Sequence, residues 1–148
     1  MPKTTIFLGS SAAARPQAKA FARKLESATL EFLPWWEAFT AGRTLLEDLD
    51  EIKDRVDGAI LVMSPESEST IRGNDVSIPN LNVLFELGYL SGHLGRRKVA
   101  MVRYGDFYLP SDLAGYVHIS GSRVFKRGHI VRIGKRTVAD FARWIEQV

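Results

Sequence analysis

Gly58-Ala59-Ile60-Leu61-Val62-Met63 is an unbroken apolar run, long enough for one strand and too short for an ordinary helix. A strand with no polar face has to be covered on both sides, which marks a parallel sheet flanked by helices. The neighbouring segments meet that demand. Thr4–Leu8 is β-rich and ends in Gly9-Ser10-Ser11; an Ala-rich segment dotted with Lys and Arg then reads as helix to about Ser27. Leu30–Leu33 is a second strand, stopped by Pro34. Thr44-Leu45-Leu46-Glu47 is a capping box opening a helix through about Arg55, with Leu45, Leu49, Ile52 and Val56 on its buried face. A helix within Pro79–Gly95, a strand over Lys98–Arg103 and a last helix from near Thr137, carrying Val138, Phe141, Trp144 and Ile145, continue the alternation. An α/β fold, a parallel sheet with helices on both sides, is the economical result. Gly105–Lys135 departs from it. Val117 and Ile119, then Ile130, Val131 and Ile133, predict short strands or a hairpin outside a simple α/β repeat. Ser64–Ile78 reads as a long polar loop centred on Arg72-Gly73-Asn74-Asp75.

Composition removes several chemistries. The chain has 148 residues and no cysteine, which excludes disulfides, zinc–thiolate sites and thiol nucleophiles and fits a reducing cytosol. His93, His118 and His129 are scattered without ligand spacing, so no metal site is expected. No segment reaches the ~18 apolar residues of a membrane helix, and Met1–Gly9 lacks signal-peptide form. The net charge of +3 is uneven: residues 1–95 carry nine Lys/Arg against thirteen Asp/Glu, and residues 96–148 carry eleven against four. Arg96-Arg97-Lys98 and the cluster of Lys126, Arg127, Arg132, Lys135 and Arg136 account for most of that basic half. Aromatic residues do not interleave these clusters, so they read as solvated surface and a nucleic-acid platform is not expected.

Ligands of open parallel sheets bind beyond the carboxyl ends of the strands, which directs attention to the turns there. Gly9-Ser10-Ser11 lacks both the dinucleotide glycine spacing and the phosphate-loop lysine. It is either a serine-capped turn or a receiver for an anion at the following helix. Pro34-Trp35-Trp36-Glu37-Ala38-Phe39 is either core or a wall on which a flat heterocycle stacks. Arg72 in its loop could clamp a phosphate or carboxylate. At roughly 100° per residue, Val83, Leu87, Leu90 and Leu94 form a core stripe in the Pro79–Gly95 helix. Asn82, Glu86, Tyr89 and His93 form a second stripe, and Gly88, Gly92 and Gly95 a third edge open to close approach. Glu86, flanked by Phe85 and Leu87, is either a solvated carboxylate on an amphipathic helix or one lining a ligand cleft.

The order I-F-L-G-S-S, P-W-W-E-A-F, D-G-A-I-L-V, R-G and N-V-L-F-E-L-G-Y-L-S-G-H-L-G-R-R-K, from Ile6 to about Leu113, resembles the prokaryotic TIR-like domains of anti-phage effectors in CBASS and Pycsar systems. Where the family usually shows Pro-Arg-Asp-Asn this chain has Pro79-Asn80-Leu81-Asn82, and where it tends to Pro-Asp-Asp this chain has Pro65-Glu66-Ser67. The resemblance implies a flavodoxin-like open parallel sheet of about five strands in one domain over residues 1–148, of a kind often joined to a separate STING or other cyclic-nucleotide sensor. It implies a bacterial, cytoplasmic NAD+ glycohydrolase that needs no cofactor beyond its substrate and is activated by self-association into an oligomer or filament. Glu86 aligns with the catalytic glutamate; Gly9, Ser10, Ser11, Trp35, Phe39, Arg72 and Asn82 are the expected substrate contacts. The alternative is a TIR-like nucleotide-binding or scaffold module without turnover, and a deoxyribosyltransferase-like use of Glu86 as nucleophile is a further rival on the same fold.

Overall fold

A computed structural model describes residues 2–113, 115–121 and 132–148. Five strands form one all-parallel sheet: β1 (Thr4–Ser10), β2 (Leu30–Pro34), β3 (Gly58–Met63), β6 (Val99–Arg103) and β7 (Val117–Ser120), in the order β2-β1-β3-β6-β7. β3 is buried at every residue, as its apolar run requires. Ile6 of β1 pairs with Phe32 of β2 on one side and Gly58 of β3 on the other, so β1 and β3 sit at the centre. The strand order reverses between them, and the crevice of a doubly wound sheet opens there, beyond the carboxyl ends.

Helices cover both faces. Phe21 and Ala18 of α1 (Arg15–Leu25) pack with Phe141 and Trp144 of α5 (Lys135–Ile145) on Ile6, Leu8, Ile60 and Val62. Leu49 and Ile52 of α3 (Leu45–Ile52) pack with Val83, Leu87 and Leu90 of α4 (Leu81–Leu94) on Phe7, Leu61, Met63 and Met101. Alternate residues of each central strand thus feed opposite cores, which is why β1 and β3 can carry no polar face. The fold is the flavodoxin-like α/β architecture expected from the sequence.

Two expectations need correction. Ser64–Ile78 is not an open loop: Ser67–Ile71 (β4) and Asn74–Ile78 (β5) form a separate antiparallel hairpin. Its two-residue turn places Arg72 at φ 51° and Gly73 at φ 80°, the doubly positive geometry of a type I′ turn. Ile71, Val76 and Ile78 share one face with Ser67, Ser69 and Asn74, too sparse an apolar set for the strands to stand out in a polar stretch. Val117 and Ile119 do not lie outside the α/β repeat either, because β7 is the fifth strand of the main sheet. Ile130, Val131, Lys126, Arg127 and His129 lie outside the described residues. Arg96, Arg97, Lys98, Arg132, Lys135 and Arg136 are exposed, in keeping with a solvated basic surface. Among the described residues no helix is long and apolar enough to cross a membrane, and no group of side chains has the arrangement of a metal site.

The capping box is present in full. Glu47 N donates to Thr44 Oγ1 at 3.2 Å and Thr44 N donates to Glu47 Oε2 at 3.0 Å. Thr44→Ala is expected to cost about 1 kcal/mol, read as a lower urea midpoint with an unchanged slope.

Candidate active site

Gly9 is the residue on which the site turns. Its position on β1 faces α4, and a methyl group there would stand 2.7 Å from Glu86 Oε2, 2.5 Å from Leu61 Cδ1 and 3.1 Å from Phe7 Cε1. Only a residue without Cβ lets the helix bring a carboxylate this close to the strand. Asn80 caps α4, its Oδ1 accepting from Asn82 N at 2.9 Å and Val83 N at 3.2 Å, and so sets where Glu86 falls on the second turn. The stretch that departs from the family's Pro-Arg-Asp-Asn therefore still supplies the helix cap.

Glu86 is 3% exposed, and its Oε2 has no hydrogen-bond partner among the described residues. Burial alone pushes its carboxyl up from 4.5 to about 8, because no neighbouring cation or N–H donor offsets the loss of water. The solvated-glutamate reading of the sequence is thereby excluded. Val83, Leu87 and Leu90 occupy the buried stripe, while Leu94 is only partly buried.

Trp35 and Phe39 of the aromatic segment pack on the same side of the sheet as this carboxylate. Trp35–Ala38 forms a single helical turn (α2) directly after β2. Phe39 lies 5.9 Å from Phe7 and 6.2 Å from Trp35, centroid to centroid, so it reaches the strand residue that also flanks Gly9. Trp35 Nε1 donates to Ser10 Oγ at 2.8 Å; Ser10 Oγ in turn donates to the Ser11 carbonyl at 2.9 Å. Ser11 Oγ accepts from Ala14 N at 3.1 Å. Both serines are buried and tie the chain's own turn.

A strap holds Phe39 in place. Thr40 N donates to Asp48 Oδ2 at 3.2 Å, and Arg43 Nε pairs with Asp48 Oδ1 at 3.2 Å. Arg43 also reaches Glu51 at 2.8 Å and the Glu47 carbonyl at 3.2 Å. Asp48 is buried in the first turn of α3, where a carboxylate also suits the helix dipole. Sequence reading passed over this pair, since charged residues in a capping-box helix look like surface.

Gly9, Ser10, Ser11, Trp35, Phe39 and Glu86 are thus gathered at the carboxyl end of β1. Asn82 is exposed one turn before Glu86 on the same helix, beside a depression of about 310 Å³ lined by Glu66, Ser67, Ile78 and Pro79 through Asn82. Arg72 stands apart, at the exposed tip of the β4–β5 hairpin. Gly88, Gly92 and Gly95 face open space, and no other part of the described chain approaches them.

Gly9→Ala is expected to lose ~1–3 kcal/mol of stability through overpacking, measured by chemical denaturation. The raised Glu86 carboxyl has a second consequence. Between pH 4.5 and 8 the native state keeps a proton that the unfolded chain has released, so stability falls as pH rises through that window. At about 1.36 kcal/mol per pKa unit the loss amounts to several kcal/mol. Melting curves of wild type and Glu86→Gln should differ least near the acid end and most above pH 8, with the variant the more stable.

Residues 5–123 match the family described as "CAP12/Pycsar effector protein, TIR domain". The chain is 36% identical over 124 residues to the Pycsar effector protein PaPycTIR of Pseudomonas aeruginosa, covering 82% of this chain and 40% of that protein. It is 30% identical over 113 residues to CD-NTase-associated protein 12 of Sphingobacterium faecium, covering 76% and 35% respectively. Protein tirC of Dictyostelium discoideum is 33% identical over 91 residues, covering 53% and 45%. The chain spans about two-fifths of the length of the curated relatives it matches. With the parallel sheet, the Gly9 turn and the Glu86 helix all inside the matched stretch, the chain belongs to the TIR-domain family of CAP12 and Pycsar effectors.

Proposed function

We propose that this domain cleaves the nicotinamide–ribose bond of NAD+, giving nicotinamide and ADP-ribose or its cyclic form. The observation that carries the reading is a buried carboxylate with no hydrogen-bond partner on Oε2 among the described residues, set against a glycine on the side of the sheet where Phe39 and Trp35 pack. Most glycosidases need an acid as well as a base because an alkoxide leaves poorly. Nicotinamide leaves NAD+ as a neutral pyridine, taking the pair of electrons of the breaking C–N bond, so no proton donor is required. The positive charge passes to the ribose as an oxocarbenium ion. The Glu86 carboxylate stabilises that charge in a site poor in water, where it is worth most. Water then adds to the ribosyl cation and gives up a proton; in the cyclic product a nitrogen of the adenine base takes the water's place. The aromatic rings receive the departing pyridine.

Activation by assembly fits the same geometry. Glu86 is nearly closed to solvent, so the packing around it has to open before a dinucleotide reaches it. A domain in this state is quiet until copies cluster, and a cyclic-nucleotide-sensing part, fused or separate, is the natural source of that signal. The relatives named as a Pycsar effector and as CD-NTase-associated support an anti-phage role of this kind.

Nicotinamide release should rise more than linearly with protein concentration and fall 10²–10³-fold in Glu86→Gln. Binding of NAD+ without release, in clustered wild-type protein, would instead establish a scaffold or nucleotide-binding module. The pH profile gives a separate check. The active carboxylate forms as pH rises through about 8 in the empty site, so kcat/KM should increase across that range. The cationic ring of bound NAD+ favours the charged carboxylate, so the limb in kcat should lie at lower pH.

A further inference from the structure

Two cations and an indole beside this site have no part in the chemistry above. Arg15, the first residue of α1, holds its guanidinium 5.0 Å from the ring centre of Trp36 and 5.8 Å from that of Trp35. Lys19, one turn along α1, places Nζ 5.7 Å from the Trp36 ring centre. Arg15 Nε is buried and has no hydrogen-bond partner among the described residues, and the ion pairs among them include neither Arg15 nor Lys19. Ring faces orient a guanidinium but supply no anion. A guanidinium partly withdrawn from water is left with a donor unsatisfied, and its planar fork matches phosphate oxygens.

Its position relative to Glu86 defines the ligand. Gly9 and Ser10 are consecutive on β1 and point to opposite faces of the sheet. Gly9 meets Glu86 on the α4 side, whereas Ser10 takes the hydrogen bond of Trp35, over which Arg15 lies. A carboxylate and a pair of cations therefore flank the carboxyl end of one strand, joined by the Trp35 ring. A ligand with a cationic ring at one end and phosphates beyond its ribose satisfies both.

We propose that Arg15 and Lys19, over the face of Trp36, form the subsite for the diphosphate of a pyridine dinucleotide, on the α1 side of the β1 end. The proposal rests on the reading of Glu86 as the site of glycosidic cleavage, and the test separates the two. ADP-ribose and nicotinamide riboside are titrated calorimetrically into the full-length Glu86→Gln protein, alone and with Arg15→Gln or Lys19→Gln added. ADP-ribose carries the diphosphate; nicotinamide riboside has none. Arg15→Gln is expected to weaken ADP-ribose binding about 10- to 100-fold, and Lys19→Gln about threefold, with nicotinamide riboside unchanged. Equal weakening of both ligands, unaltered ADP-ribose affinity, or no ADP-ribose binding to the parent protein overturns the subsite. Lys19 is exposed, so its variant carries the test if Arg15→Gln disturbs the tryptophans. ADP-ribose binding that depends on Arg15 in a wild-type protein releasing no nicotinamide leaves the subsite standing and removes the cleavage reading. Glu86-dependent release without an Arg15 effect does the reverse.

Discussion

The approach of α4 to β1 at Gly9 is the contact on which the site depends. It puts Glu86 Oε2 where a side chain on the strand would otherwise sit, with Leu61 and Phe7 closing the same space. Among the described residues the carboxyl gains no hydrogen bond on Oε2 in exchange for its lost water, so the fold carries an unfavourable group that packing elsewhere has to offset. The sheet supplies that packing: β3 is buried throughout, and both helical layers are anchored by large apolar side chains. A structural role would favour an apolar residue at position 86, flush with Val83, Leu87 and Leu90. A carboxylate there makes sense where its poor solvation is used.

The same logic extends to the aromatic segment. Phe39 and Trp35 are neither free loop residues nor fully buried core; they are partly buried and held from two directions. Ser10 fixes the Trp35 indole, and the Asp48–Arg43 pair fixes the chain just after Phe39. These restraints differ in strength. Asp48 is buried, which strengthens its bonds, whereas Arg43 is partly exposed and its link to Glu51 is screened by solvent. The strap is therefore held more firmly at Thr40 and Asp48 than at Arg43.

How much of this could be read from the residues follows from where the information lies. Gly58–Met63 and the Thr44 capping box are local patterns with one physical solution each, and the structure returns both. Glu86 was legible because a charge amid apolar helix positions is costly and invites a reason. Its closeness to Gly9 was not, since the two are distant in sequence and meet only through sheet register. The β4–β5 hairpin escaped because only Ile71, Val76 and Ile78 are apolar across its two strands, and Arg72 is an unusual residue for a left-handed turn position. Arg15, Asp48 and Arg43 looked like surface charges. Their partners, two indoles and a buried carboxylate, come from elements that only the fold brings together.

The distribution of charge about the β1 end also bears on direction. Glu86 belongs to the layer of α3 and α4, and the Arg15–Lys19 pair to that of α1 and α5, with the sheet edge between them. Once Glu86 is ionised, opposite charges on the two sides of the strand end create a field across the crevice rather than along it. A dinucleotide whose pyridinium is positive and whose diphosphate is negative has one favourable orientation in such a field. Reversing it would bring phosphate against a buried carboxylate and a cationic ring against a guanidinium, both strongly unfavourable at low local dielectric. On the proposed cleavage of a pyridine dinucleotide, discrimination between its two ends comes from the crevice as a whole. The Ser10 and Ser11 hydroxyls meanwhile tie their own turn.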